Sequence, residues 1–304
     1  MVLFRKSKSI FLAPMAGYTD SAFRALCSTY GCRATVVPMV SAAALVRENE
    51  KTNIFLKESK EEKYFGVQIF GAFPNEISKA VRILCNRKEN GNSKLSFIDL
   101  NFGCPVRNIL KQECGSFLLK HSKRISEIAL SAVKASALPI TAKIRLGFGK
   151  NDSFEIARIL EKAGVEGVFV HGRTAKQGFS GKADWDAIGE LASETGIPII
   201  GNGDIKTLKE AKEKIKEYGC AGAMIGRSAL GNPMAFSSDR KKTERKQAWK
   251  KYIALAIREN SSILSIKIHS ACFSRGSPNA KRIRRGLMNS KTIEEIEETM
   301  KALE

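Results

Sequence analysis

Phe97-Ile98-Asp99-Leu100-Asn101-Phe102-Gly103-Cys104-Pro105 is the stretch on which the fold turns. Phe97, Ile98 and Leu100 give it the apolar run of a buried strand, and Gly103 and Pro105 end that strand in a tight turn. The turn carries one thiol. A cysteine just past a strand end stands where α/β folds usually place their chemistry. Taken singly, any of the seven cysteines is more often a small buried hydrophobe. The neighbours of Cys104 therefore have to decide its role.

Short apolar strands recur on both sides of this stretch. They read as residues 10–13, 34–37, 65–70, 95–101, 139–144, 167–171, 197–200 and 221–225. Amphipathic helices are expected over residues 77–85, 125–135, 154–162, 185–194 and 208–218, with Asp20 or Thr19 capping a further helix that carries Phe23, Leu26 and Cys27. Such alternation requires parallel strands joined by right-handed crossovers. Eight units match a closed (β/α)8 TIM barrel of typically about 250 residues. A doubly wound open sheet is the runner-up, but no Gly-x-Gly-x-x-Gly follows the first strand. The rhythm stops near residues 231–238. From about residue 239 the chain is basic and helical in pattern, with Trp249, Tyr252, Ile253 and Ile257 on one face and a last helix marked by Ile293, Ile296 and Met300. The expected class is α/β, a TIM barrel over residues 1–236 followed by a small all-helical domain over residues 237–304.

The chain has 304 residues and 43% hydrophobic content, enough for one large core with a small appendage. Its 51 basic and 31 acidic residues leave a net charge of +20. A polyanionic partner would explain that excess, because clustered cations displace counterions from phosphates. The bland alternative is a lysine-rich solvated surface. Distribution favours the partner: residues 239–285 hold 14 Lys/Arg and 3 Asp/Glu, a surplus of 14 − 3 = 11 out of 20. The cysteines follow neither a zinc nor a disulfide spacing, and the apolar run after Ile10 is interrupted by Pro14 and Gly17. The expectation is a soluble, cytoplasmic monomer without metal or membrane span.

In a barrel the site lies at the C-terminal strand ends. There stand Pro14, Met15 and Ala16 (first strand), Gln68 (third), Asn101 and Cys104 (fourth), Lys143 and Arg145 (fifth), His171 (sixth), Asn202, Gly203 and Asp204 (seventh), and Gly226 and Arg227 (eighth). Lys143 could be a surface lysine. It follows Ile140, Thr141 and Ala142 in a buried strand, however, where an unpaired cation is expensive and a bound anion would satisfy it. His171 stays balanced between a structural histidine and a ligand. His121, among Lys120, Lys123 and Arg124, reads as exposed; His269 reads as packing or a nucleic-acid contact. Gly201-Asn202-Gly203-Asp204 and Gly226-Arg227 suit a phosphate group, with residues 228–234 as a short helix behind it. Together these residues outline a slot for a flat phosphorylated cofactor. No acidic cluster suggests a metal, and no Ser-His-Asp arrangement is evident.

The ordered set resembles the tRNA-dihydrouridine synthase family. It is carried by Ala13-Pro14-Met15-Ala16-Gly17-Tyr18-Thr19-Asp20, Val67-Gln68-Ile69-Phe70-Gly71, Asn101-Phe102-Gly103-Cys104-Pro105-Val106, Ala142-Lys143-Ile144-Arg145-Leu146-Gly147, Val170-His171-Gly172-Arg173-Thr174, Gly201-Asn202-Gly203-Asp204 and Ile225-Gly226-Arg227. The tail segment from Lys267 to Gly276 is also similar to the family's helical domain. The resemblance implies an FMN-dependent oxidoreductase that uses NADPH, or NADH, to saturate the 5,6 double bond of a uridine in tRNA. It implies that Pro14, Met15, Ala16, Gln68, Lys143, His171, Asn202, Gly203, Asp204, Gly226 and Arg227 hold FMN. It makes Cys104 the proton donor, places Asn101 and Arg145 against the base, and assigns the basic helical domain to tRNA. A thiol is mostly protonated at neutral pH and is a far better acid than a serine hydroxyl.

Three positions depart from the family pattern. Pro38-Met39 stands where Glu-Met is usual, Cys114 replaces a small residue between glycines, and Phe179 takes a position often held by Tyr. All three concern the base, and none falls in the cofactor set. The competing readings are an FMN barrel oxidoreductase of the dihydroorotate or ene reductase type acting on a free small molecule, and a non-catalytic RNA-binding protein on a retained barrel.

Overall fold

The computed structural model describes residues 4, 8–49, 52, 55–91, 93–238 and 245–303. Eight parallel strands alternate with helices: β1 (Ser9–Leu12), α1 (Ser21–Thr29), β2 (Thr35–Ser41), α2 (Ala42–Val46), β3 (Phe65–Phe70), α3 (Pro74–Glu89), β4 (Leu95–Asn101), α4 (Arg107–Leu110), α5 (Ser122–Ala135), β5 (Ile140–Arg145), α6 (Ser153–Lys162), β6 (Gly167–His171), α7 (Trp185–Glu194), β7 (Ile199–Asn202), α8 (Leu208–Glu217) and β8 (Gly222–Ile225). The sheet runs β1-β8-β7-β6-β5-β4-β3-β2. It curls so that its two ends meet. The Leu12 N–H donates to the Ala34 carbonyl and the Arg33 N–H to the Ile10 carbonyl, both at 3.0 Å, which joins β1 to the start of β2. The TIM-barrel expectation holds.

Strand side chains alternate between the two faces. On β4 the even positions Ile98 and Leu100 pack outward into the helices, and Phe97, Asp99 and Asn101 point inward. The interior is therefore layered. Phe4, Phe11, Phe97 and Phe169 form an aromatic floor with Val36, Ile200 and Met224. Phe11 meets Phe169 edge-on at 5.0 Å and Phe4 meets Phe97 at 5.3 Å, a favoured aromatic geometry. Gly66 opposite leaves room for the Phe97 ring. Above this apolar floor the inward residues Gln68, Asp99, Asn101, Thr141, Lys143, Arg145, His171 and Asn202 are polar, with Phe70 at the rim, and that layer is the floor of the site.

Beyond β8 the expected helix over residues 228–234 is instead two short 3-10 turns, Arg227–Ala229 and Pro233–Phe236. Asn232-Pro233 breaks the chain between them, since proline disfavours helical geometry in the residue before it. Four helices follow: α9 (Arg245–Arg258), α10 (Ile263–Phe273), α11 (Ala280–Asn289) and α12 (Ile293–Met300). They pack on the barrel through α1. His269 lies buried between Phe23 of α1, at 4.7 Å, and Tyr252 of α9, at 4.8 Å. It is a packing residue and makes no surface available to nucleic acid. Arg258 pairs with Glu61, and Ser59 donates to Glu259, pinning α9 to the segment before β3. Trp249, Tyr252 and Ile253 are buried as expected, but Ile257 is half exposed, and Leu255 and Ala256 complete the buried face instead. Among the described residues no helix is long and apolar enough to cross a membrane.

Candidate active site

Cys104 sits in the loop between β4 and α4 and is partly exposed, whereas the other six cysteines are buried. Its loop is held from two sides. From below, Asn101 Oδ1 accepts from the backbone N–H groups of Gly103 (3.2 Å) and Cys104 (3.0 Å). From the side, the Cys104 carbonyl accepts from both the N–H and the hydroxyl of Ser116 at 3.0 Å. Gly115 makes this docking possible. Its φ is +62°, and a Cβ there would lie 2.7 Å from the Cys104 carbonyl oxygen. Partial burial raises the thiol's pKa above its ordinary value, against the pull of the Arg145 and Lys143 charges. Cys104 is therefore a protonated thiol at neutral pH.

The next layer is a hydrogen-bonded set across β3, β4 and β5. Asn101 Nδ2 donates to Gln68 Oε1, Gln68 Nε2 to Asp99 Oδ2, and the Thr141 hydroxyl to Asp99 Oδ1, each at 2.7 Å. Parallel register places Asp99 beside Gln68 and Thr141, and Asn101 beside Lys143.

The opposite wall is cationic. Lys143 Nζ donates to Asn202 Oδ1 at 3.1 Å, and Asn202 Nδ2 donates to the Met224 carbonyl at 2.8 Å, linking β5, β7 and β8. Arg145 donates to the carbonyls of Gly103, Thr174 and Gly178, tying the Cys104 loop to the loop after β6. Arg173 forks onto the Asp204 carboxylate at 3.0 and 2.8 Å. Arg227 lies 3.8 Å from Asp204 and stacks over the exposed Phe179 ring at 4.2 Å. His171 stands among these charges. Burial, and then Lys143, Arg145, Arg173 and Arg227, push its pKa down to about 2, so the imidazole is neutral. Burial likewise lowers Lys143 to about 8, with Arg145 adding to the effect and Asp99 opposing it.

The remaining wall comes from β1 and β8. The Ala13 N–H donates to the Ile225 carbonyl at 2.8 Å. The Pro14-Met15-Ala16 turn is closed by Thr19, whose hydroxyl accepts from the Met15 N–H at 2.7 Å, and the Met15 sulfur faces Gly226. Gly203 lies so close to Ala183 and His171 that a Cβ would collide with Ala183 at 2.6 Å.

The expected residues thus stand together at the C-terminal ends of the strands. Asp204 differs in how it contributes: its carboxylate is committed to Arg173 and to the Ala183 N–H. Two contributors had no role assigned from sequence. Asp99 was visible as an acid inside an apolar strand, a combination that itself signals a partner. Arg173 was quoted only as part of a motif. The departures also find places. Pro38 lies at a β-bulge where the β2–β3 register shifts between Val37 and Val40, with Met39 at φ +42°. Met39 and Cys104 both pack against Ala72, Ile109 and Cys114, so Cys114 is a packing thiol. Phe179 caps the cationic wall. His121 is exposed. Among the described residues no group of His, Cys, Asp and Glu could hold a metal ion.

The model of the dihydrouridine synthase family matches residues 11–301. The chain is 33% identical over 304 residues to a probable tRNA-dihydrouridine synthase of Aquifex aeolicus (strain VF5), covering 96% of this chain and 94% of that one. It is 37% identical over 235 residues to tRNA-dihydrouridine synthase B of Pasteurella multocida (strain Pm70), covering 77% and 69%. Among solved structures, histamine dehydrogenase from Rhizobium sp. 4-9 has a similar fold, with a TM-score of 0.52 at 12% identity over 84% of this chain and 49% of that one. Across nearly its whole length, this chain belongs to the dihydrouridine synthase family.

Proposed function

We propose that the protein is a tRNA-dihydrouridine synthase that binds FMN, takes its reducing equivalents from NADPH and reduces the 5,6 double bond of a uridine in tRNA. The observation that carries this reading is the Cys104 loop, clamped by Asn101 and Ser116 and tied to Arg145, standing at the strand ends together with the cations Lys143, Arg173 and Arg227.

The donor set fits FMN. Four cations, Lys143, Arg145, Arg173 and Arg227, surround a histidine that cannot take a proton, and the nearby carboxylates Asp99 and Asp204 offset only part of their charge. A phosphate and an anionic reduced ring would relieve that excess. Pro14, Met15, Ala16, Gln68, Lys143, His171, Asn202, Gly203, Asp204, Gly226 and Arg227 are the residues that would hold the cofactor. When bound, FMN supplies the hydride that carbon 6 of the uracil accepts. Cys104 gives its proton to carbon 5. Asn101 and Arg145 orient the base while they fix the Cys104 loop. Lys143 keeps positive charge beside the cofactor.

We assign residues 1–236 to catalysis and residues 237–304 to tRNA. In α11, Lys281, Arg282, Arg284 and Arg285 are exposed while Ile283 and Leu287 face the domain core. Such a face grips phosphates without reading sequence. That grip can offset the few kcal/mol, approximately, needed to flip the base from its stack. The test is to purify the protein, measure its flavin absorbance, and supply NADPH with either tRNA or free enone and dihydroorotate. A yellow protein that forms dihydrouridine in tRNA is expected. Turnover of the free compounds with no effect of tRNA would replace this reading with the small-molecule one.

A further inference from the structure

Asp99 is buried, ionisable and unused by the mechanism above. Its two carboxylate oxygens have different partners: Oδ1 accepts from Thr141 of β5 and Oδ2 from Gln68 of β3. An ionised carboxylate can only accept. The Gln68 amide must therefore turn its nitrogen toward Asp99 and its oxygen toward Asn101. That oxygen in turn demands the Asn101 nitrogen, which leaves the Asn101 oxygen for the N–H groups of Gly103 and Cys104. At this far end the backbone can only donate. The chain thus has an acceptor at one end and donors at the other, and both amides between them have one permitted orientation.

We propose that Asp99 is the positioning residue of this site: it is the buried acceptor that anchors a hydrogen-bond chain ending on the Cys104 backbone, and it supplies the negative charge next to Lys143. The inference rests on the role given to Cys104 above. The groups facing Asp99 are Gln68, Thr141 and Lys143; those facing Lys143 are Asp99, Arg145, Cys104, His171 and Asn202. Asp99 is the one carboxylate in that second set. Burial raises Asp99 to about 6, so above that pH both of its oxygens are acceptors. Below it the proton takes one acceptor position from the chain, while the Gly103 and Cys104 N–H groups still hold the orientation of the amides. Lys143, at about 8, is the first of the cations here to lose its proton as pH rises, ahead of Arg145 at about 10.

Two substitutions separate the two parts of the role. In Asp99→Asn the side chain can still turn its oxygen to Gln68 and its nitrogen to the Thr141 hydroxyl, so the anchor survives and only charge is lost. In Asp99→Leu both are lost. The experiment measures, on the purified holoenzyme from pH 6 to 10, the alkylation rate of Cys104 by iodoacetamide, the activity profile with tRNA and NADPH, and the melting temperature. For Asp99→Asn the expected results are a melting temperature no lower than wild type and an alkaline limb of activity moved down by about one pH unit. Cys104 alkylation at pH 8 should slow about threefold, because a neutral Lys143 no longer favours the thiolate. For Asp99→Leu, kcat should fall about tenfold further with little change in KM for tRNA. Wild-type pH dependence of both activity and alkylation in Asp99→Asn, with only the melting temperature lowered, would reduce Asp99 to a structural residue and overturn the proposal. Failure of the wild type to form dihydrouridine would remove the proposed function instead, and would leave the alkylation comparison standing.

Discussion

At the scale of single residues, the site holds groups more firmly in one protonation state than water would. Cys104 is kept a thiol by partial burial, and His171 is kept neutral by burial among cations. The second has a cost that can be measured. The folded state excludes the His171 proton down to about pH 2, whereas the unfolded chain takes it up below about 6.5. A depressed histidine therefore withdraws stability as pH falls through 6.5. By pH 5 the loss amounts to about 2 kcal/mol. His171→Gln should escape it, so urea unfolding at pH 7.5 and pH 5 should show the variant gaining about 2 kcal/mol on the wild type over that interval. Parallel curves would mean that His171 titrates normally.

Sequence showed most of these residues because strand periodicity and turn glycines place them at the strand ends. What it hid was how they pair. Nothing local to Asp204 indicates that its carboxylate belongs to Arg173, 31 residues earlier. Nothing local to Gln68 indicates that its amide is paired with Asp99, 31 residues later. Such pairings are made across strands and depend on register.

At the scale of elements, five of the expected helices and all eight strands appear within a few residues of their sequence-read positions, because each carries a sustained period of two or of 3.6. The exception is the segment after β8, where Gly231 and Asn232-Pro233 split an expected helix into two turns. The wall there consists of Arg227 and backbone, with no α-helix terminus behind it. α11 is the element whose surface carries the assignment to tRNA. Reversing the charge of Arg282, Arg284 and Arg285 should weaken tRNA binding at least about tenfold at physiological salt and lower the log–log salt slope by up to about three, one unit per lost phosphate contact. Flavin content and melting temperature should not change, since all three side chains are exposed. Unchanged binding would put the RNA on another face.

At the scale of the whole molecule, an aromatic floor, a polar middle layer and a charged mouth are stacked along one barrel axis, and basic C-terminal helices are pinned to α1 and to the segment before β3. The floor keeps water from the layer above it, the layer fixes the Cys104 loop, and the mouth attracts anions. Under the proposed function this stack serves proton donation by Cys104 to a uridine of tRNA. It is tested most directly by single-turnover assays of the wild type and Cys104→Ala, with pre-reduced enzyme and an unmodified tRNA transcript, counting dihydrouridine by mass spectrometry. The prediction is that Cys104→Ala stays yellow, binds tRNA as the wild type does, and forms dihydrouridine about 10²- to 10⁴-fold more slowly. Dihydrouridine formed by Cys104→Ala at the wild-type rate would contradict the account.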